Sequence, residues 1–134
     1  MLTLTKNKKF FGLIMLIFTI LAFYYTTYAV VSPKTNFYVN DYADVLSEET
    51  ENYILNSNIE LQNKTKAQIV VVTVKSLEGK TLEEYATELF RKFGIGDKEK
   101  NNGVLLLCST GDRMFRIEVG YGLEGTLPDG KTGR

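Results

Sequence analysis

The stretch AQIVVVTV, residues 67–74, decides the fold of this chain. Its residues are nearly all apolar and several are β-branched, which is typical of a strand covered on both faces in a parallel sheet. A second apolar run, VLLLCS at residues 104–109, has the same character. Between them, Thr81 and Glu84 form a capping-box pattern, and apolar residues then recur at helical spacing up to Gly94. Strand, helix and strand in this order predict a parallel right-handed crossover, and therefore an α/β sheet.

Further elements extend this unit in both directions. Residues 113–119, RMFRIEV, alternate between polar and apolar after a short turn, which predicts a hairpin strand with one face more exposed. Upstream, Ser47 is a good N-cap for a helix that ends near Thr65, and residues 41–44 are predicted to form a loop. The side chains that this helix is expected to bury wholly or partly are Leu46, Tyr53, Ile54, Leu55, Ile59 and Leu61. Two helices on one face leave the other face of the sheet bare, so we expect a fragment of a longer protein.

The N-terminus has the pattern of an export signal. Three lysines, the last of them Lys9, precede an uncharged segment that runs from Phe10 to Pro33 and begins with a dense apolar run. Cleavage after Ala29 and retention as an anchor both stay open, because the uncharged segment approaches the roughly 20 residues that span a bilayer. The sequence thus predicts a signal peptide or N-terminal membrane anchor at residues 1–33. A domain at residues 37–134 follows, on the outer face of the cytoplasmic membrane or secreted.

Composition excludes several kinds of chemistry. The chain has 16 basic and 16 acidic residues, no histidine and one cysteine. A Ser-His-Asp triad, an imidazole zinc ligand, a CxxC redox pair and an internal disulfide are therefore excluded. A sequence pI of about 6.3 gives no electrostatic footprint for nucleic acid, and an exported domain has little access to nucleotides. The remaining carboxylates, amides and hydroxyls favour hard cations such as Ca²⁺, Mg²⁺ or Mn²⁺.

Four short motifs are rejected as functional signatures. Residues 120–125 match GxGxxG, but they follow the third predicted strand and open no helix. Residues 125–132 match the Walker A pattern, but they do not start directly from a buried strand. Residues 108–113 fall one residue short of a cysteine-phosphatase loop, and the loop that begins at Asp97 lacks the terminal glutamate of an EF-hand.

Taken together, the ordered segments of the domain resemble the TPM domain family, which includes thylakoid-lumen proteins of photosystem repair and membrane-attached bacterial proteins. The resemblance covers residues 37–134. It rests on VNDYA at residues 39–43 with VL at 45–46, AQIVVVT at 67–73, FGIG at 93–96, NGVLLL at 102–107, RIEVGYGLEG at 116–125 and LPD at 127–129.

The resemblance implies a three-layer α/β/α sandwich whose C-terminal helices are absent here. It also implies a divalent cation held in an acidic groove, and some members look like acid phosphatases. Carried over to this sequence, the groove residues are Asp41, Asn101, Asn102, Glu118, Glu124 and Asp129. Many members have Asp where this chain has Asn101, and the loss of one negative charge is expected to weaken cation binding.

Two functions follow as hypotheses. The favoured one is an extracytoplasmic, membrane-associated domain that binds a divalent cation and a membrane-protein partner in the upkeep of envelope proteins. The alternative is a metal-assisted phosphatase, in which a cation held by Asp41, Glu118 and Glu124 polarises a phosphate and activates water. The sequence offers no obvious nucleophile or general base for that reaction.

Overall fold

The computed structural model describes residues 2–22 and 29–127. Helix α1 spans Leu2–Ala22, and residues 29–127 contain two further α-helices and four strands. These elements are β1 Val39–Asp41, α2 Glu48–Thr65, β2 Gln68–Val74, α3 Leu82–Phe93, β3 Gly103–Ser109 and β4 Met114–Val119. A short 3-10 helix, Tyr121–Leu123, follows β4. No helix in the described ranges combines the length and the hydropathy needed to cross a membrane.

The four strands form one open sheet in the order β1-β2-β3-β4. β1, β2 and β3 are parallel, and β4 returns antiparallel to β3 as the predicted hairpin. The predicted α/β class is thus confirmed. The prediction of a loop at residues 41–44 is wrong at its first residue, because Asp41 ends β1 and pairs with Thr73 of β2. β1 has three residues, two of them polar, so it gives no strand pattern in the sequence.

A large part of the core lies between α3 and the central strands. The predicted capping box is present, with Thr81 and Glu84 each bonding the backbone of the other, and Gly94 ends α3 in the left-handed conformation. Buried side chains of the helix and the strands then share one cluster: Val70, Val72, Tyr85, Ala86, Leu89, Phe93, Leu105 and Leu107. The sequence pattern of α3 therefore predicted its buried face correctly.

The buried face of α2 differs from the prediction. Tyr53 is 73% exposed and Ile59 is 45% exposed, whereas Asn58 is only 5% exposed. The amide of Asn58 accepts from the N–H of Ile69 at 2.9 Å and donates to the carbonyl of Ile54 at 2.9 Å. A polar residue is stable at this buried position because both ends of its amide are hydrogen-bonded.

Residues upstream of position 37 also pack on the domain. Val30 is 2% exposed and belongs to the core cluster. Its carbonyl accepts a hydrogen bond from Nζ of Lys92, near the end of α3. Val30, which precedes residue 37, is thus part of the core that packs on the sheet.

Candidate functional site

The structure divides the predicted groove residues between the two ends of the sheet. Asp41 lies at the carboxyl end of the parallel strands, opposite Thr73. Asn102 lies at the amino end, where its carbonyl accepts from the N–H of Gln68 at 3.3 Å. Since a strand rises about 3.3 Å per residue, the part of β2 between Gln68 and Thr73 separates the two ends by about 16 Å. Asp41 and Asn102 are therefore too far apart to bind the same ion.

The carboxylate of Asp41 is engaged within its own end of the sheet. Asp41 is 7% exposed; one oxygen accepts from the hydroxyl of Thr73, and the other from the N–H groups of Val45 at 2.9 Å and Leu46 at 2.8 Å. Burial opposes ionisation, but these hydrogen bonds outweigh it and hold the pKa of Asp41 below its ordinary value. Asp41 borders an open depression of about 440 Å³. Its oxygens, however, are used in hydrogen bonds that join the end of β1 to β2 and to the residues just before α2.

At the amino end, the loop before β3 is closed by its own polar groups. The side-chain oxygen of Asn102 accepts from the N–H of Asp97 at 2.9 Å. The carboxylate of Asp97 accepts from the N–H groups of Glu99 and Lys100 at 2.9 and 3.0 Å, and these bonds lower the pKa of Asp97. Asn102, which is 7% exposed, thus stabilises the loop through a hydrogen bond between its two ends.

The glycines after β4 pack directly against this loop. The N–H of Gly120 donates to the carbonyl of Gly103 at 2.7 Å, and that of Gly122 donates to the carbonyl of Asn101 at 3.0 Å. A Cβ on Gly120 would lie 2.3 Å from the Asn101 oxygen, and one on Gly122 would lie 1.8 Å from the Lys100 oxygen. The first two glycines of the GxGxxG match are therefore required for the approach of two backbones, and the motif does not open a nucleotide-binding helix.

A small cleft of about 200 Å³ lies where α3, the loop and the end of β4 meet. Asn101 and Glu118, two of the predicted groove residues, both line it. Thr87 and Arg91 line it from α3, and Tyr121 lines it from the 3-10 helix. Asn101 is exposed and has a positive φ of 48°, a conformation that Asn tolerates better than most residues. The cleft is the point at which the structure brings predicted site residues together.

Charges of both signs surround this cleft. Oε2 of Glu118 accepts from Nε of Arg116 at 2.8 Å, and Arg116 also lies 3.9 Å from Glu83. Glu124 is exposed in the turn after the 3-10 helix. The carboxylate of Glu118 is therefore already paired with Arg116, whereas Glu124 has no ion pair among the described residues. Asp129 lies outside the described residues.

The predicted groove residues at this end, Asn101 and Glu118, offer oxygen atoms, which suit a hard cation better than a thiophilic metal. Within residues 2–22 and 29–127, no three or more His, Cys, Asp or Glu side chains are grouped closely enough to hold a metal. Amide and backbone carbonyl oxygens therefore have to complete any cation shell here. Such shells are common for Ca²⁺, which accepts carbonyl and amide ligands beside its carboxylates.

Two polar residues of the cleft were not predicted from the sequence. Thr87 and Arg91 are four residues apart on α3 and therefore lie on one side of the helix. That spacing is visible in the sequence, but it is also typical of a solvated helix face. Only the position of β4 next to α3 shows that this side faces a cleft.

An open, mostly parallel sheet with helices packed against it defines the class: an α/β domain. A family model described as the TPM domain matches residues 39–134, and the chain belongs to the TPM domain family. It is similar to the solution NMR structure of the N-terminal domain of a protein from P. gingivalis, with 36% sequence identity and a TM-score of 0.63. That match covers 69% of this chain and 59% of the other. A comparison with curated proteins gives no match.

Proposed function

We propose that this TPM domain binds a divalent cation of the Ca²⁺ or Mg²⁺ type in the cleft between α3, the loop before β3 and the end of β4. The observation that carries the proposal is the convergence of Asn101 and Glu118 in one cleft of about 200 Å³. The two residues are distant in sequence, and the hairpin brings them together. Glu124 directly follows the 3-10 helix that contributes Tyr121 to the cleft, and its exposed side chain is included in the proposal as a second carboxylate.

Asp41 is not part of this proposed cation shell. Its oxygens already accept hydrogen bonds from Thr73, Val45 and Leu46, and it lies at the other end of the sheet. Asn102 is also left out as a side-chain ligand, since its amide oxygen accepts from Asp97. The proposed ligands are therefore Asn101, Glu118 and Glu124, with backbone carbonyls of the adjoining loop.

The proposal places the domain outside the cytoplasmic membrane. Its support is the lysine-rich start of the chain followed by the uncharged segment, together with the exposed apolar side chains of α1, such as Phe11 at 71% and Phe18 at 72%. The segment serves as a cleaved signal or as a membrane attachment. A membrane-protein partner belongs to the same proposal, because this location would hold the domain close to envelope proteins.

Calorimetric titration of the full chain with Ca²⁺ tests the cation site. Glu118→Gln is expected to weaken binding about tenfold, because it removes a negative charge within contact distance of a divalent ion. Asn101→Asp is expected to strengthen binding by a similar factor. The matched control is Glu60→Gln, which removes an exposed carboxylate on α2. Equal affinities in all four proteins, or no binding by the wild type, would contradict the proposal.

The second candidate, a metal-assisted phosphatase, is supported by the position of Arg91. Arg91 lines the same cleft as Asn101 and Glu118, and an arginine beside a bound cation is a common arrangement for holding a phosphate. Hydrolysis of a phosphomonoester by the full chain, lost with chelator and in Arg91→Gln, would support this function. Cation binding without any turnover would contradict the phosphatase function and would support cation binding only.

A further inference from the structure

β4 is the last strand of the described sheet, and its outer edge faces away from β3. The N–H of Gly120 donates inward to the carbonyl of Gly103 at 2.7 Å. Because backbone groups alternate in direction along a strand, those of Phe115, Ile117 and Val119 point outward. Within residues 2–22 and 29–127, β4 pairs with β3 alone, and no turn or loop backbone hydrogen bond uses these three outward N–H groups. Among these residues the edge is therefore open to pairing with another strand.

The features that usually protect such an edge are weak in β4. Phe115 is 67% exposed and Met114 is 49% exposed, and the strand contains no proline or lysine. Its two charged residues, Arg116 and Glu118, form an ion pair with each other at 2.8 Å. The edge is thus apolar with balanced charge, which favours association rather than repulsion. The opposite edge strand, β1, has three residues and offers much less to pair with.

The sequence of β4 is complementary to itself when it is reversed about Ile117. An antiparallel pair of β4 strands centred there sets Arg116 of one copy opposite Glu118 of the second copy, and the reverse pair follows by symmetry. Phe115 then lies opposite Val119. Opposite charges and apolar pairs in such facing positions stabilise a sheet.

The same register satisfies the backbone. Centring on Ile117 makes residues 115, 117 and 119 the hydrogen-bonded positions, and these are the residues whose N–H and C=O groups point outward. Arg116 and Glu118 then occupy non-hydrogen-bonded pairs, where facing Cα atoms are only about 4.5 Å apart. Registers centred on Arg116 or on Glu118 would also pair the outward backbone groups, but each sets two like charges opposite each other. The charged side chains therefore select the register centred on Ile117.

We propose that two copies of this chain associate through β4, as a two-fold antiparallel pair centred on Ile117 that joins two four-stranded sheets into one. The interface is isologous, so each contact occurs twice. Each copy contributes Arg116 to one ion pair and Glu118 to the other. This inference does not depend on cation binding.

Charge reversal in the full chain tests this pairing, with sedimentation equilibrium in chelator and detergent as the readout of mass. The wild type is expected to dimerise. Arg116→Glu and Glu118→Arg each place like charges in both facing pairs, and each is expected to raise the dimer dissociation constant about tenfold or more. An equimolar mixture of these two variants restores both opposite-charge pairs, so a heterodimer of near wild-type affinity is expected.

The mixture separates the proposal from a simple loss of folding, because two misfolded proteins would not recover by mixing. Phe115→Pro provides a second variant: it removes one outward N–H, a change that an edge strand tolerates, and it is expected to weaken the dimer while the β3-β4 hairpin persists. A wild type that stays monomeric would overturn the proposal. So would single variants that dimerise as well as the wild type, or a mixture that stays monomeric.

Discussion

Gly120 and Gly122 allow the chain after β4 to contact the loop before β3, because neither residue has a side chain. Both donate to carbonyls of the loop before β3, and a Cβ on either would come within 2.3 Å or less of a backbone oxygen. Backbone atoms cannot move aside as a flexible side chain can, so the contact itself requires glycine. Gly125, the third glycine of the GxGxxG match, has no atom of the described part of the chain within 4 Å of its Cβ position.

The three glycines are therefore expected to differ in their tolerance of alanine. Gly120→Ala and Gly122→Ala should each lower the free energy of unfolding by about 1 to 3 kcal/mol through overpacking. Gly125→Ala, the matched control, should change it by less than about 0.5 kcal/mol. Urea denaturation followed by circular dichroism measures these values. Equal effects at all three positions would show that the motif is required for a reason other than backbone packing.

Asp41 is a structural residue whose contribution depends on pH. Its pKa is lowered in the folded protein, so its stabilising effect is fully present above the ordinary aspartate pKa of about 3.9 and is lost as the pH falls through the lower folded value. Asp41→Asn is expected to lower the free energy of unfolding at neutral pH by about 1 to 3 kcal/mol. The substitution replaces one of the two carboxylate oxygens with an NH₂ group, so some of the donors on Thr73, Val45 and Leu46 lose their acceptor. Below about pH 4 the variant should lose stability less steeply than the wild type.

Urea denaturation at a series of pH values checks this expectation. Asp44→Asn is the control, since Asp44 is an exposed neighbour and the substitution removes the same charge. A variant Asp41→Asn that is as stable as the wild type at neutral pH would refute the structural role. If the stability of Asp41→Asn still fell with pH as steeply as that of the wild type, the loss of stability in acid would come from other groups, such as Asp97 and Asp112.

At the scale of the elements, the side chains of β3 are more deeply buried on one face of the sheet than on the other. Leu105 is completely buried, whereas its neighbour Leu106 is 40% exposed. The two side chains point to opposite faces because side chains alternate along a strand. The apolar run at residues 104–109 does not reveal this difference, since both positions hold leucine.

Alanine substitutions at these neighbouring leucines measure the asymmetry. Leu105→Ala is expected to cost about 2 to 5 kcal/mol of folding free energy, because it leaves a cavity in the core. Leu106→Ala is expected to cost about 1 kcal/mol, because much of its surface is already in contact with water. Thermal and urea denaturation of the two variants give the comparison. Similar losses would show that the second face is covered in solution as fully as the first.

Sequence patterns predicted the long elements better than the short ones. Helix α3 and strands β2, β3 and β4 were predicted within one or two residues, because capping, periodicity and apolar runs all indicate the same structure. β1 was missed, since its three residues carry no periodic signal. On α2, Tyr53 was predicted to be buried but is exposed, and Asn58 is buried because its amide bonds the start of β2. That outcome depends on tertiary contacts which helical spacing alone does not contain.

At the scale of the whole molecule, the direction of β4 determines which residues meet. The hairpin returns the chain to the amino end of the parallel strands, so Glu118 approaches the loop that holds Asn101. Asp41 is the last residue of β1, which runs parallel to β2 and β3, so it lies at the opposite end of the sheet. The residue types of the candidate site were visible in the sequence, but their separation into two groups depends on this topology. Arg91 became a candidate only once α3 was placed beside β4.

The central claim is that a cation binds at the amino end of the sheet and not at Asp41. Titration of the isotope-labelled full chain with Ca²⁺, followed by backbone amide chemical shifts, tests it most directly. The account predicts saturable shifts concentrated at residues 96–103 and 118–124, and their loss in Glu118→Gln. Saturable shifts centred on Asp41 and Thr73, or no saturable shifts at all, would contradict it.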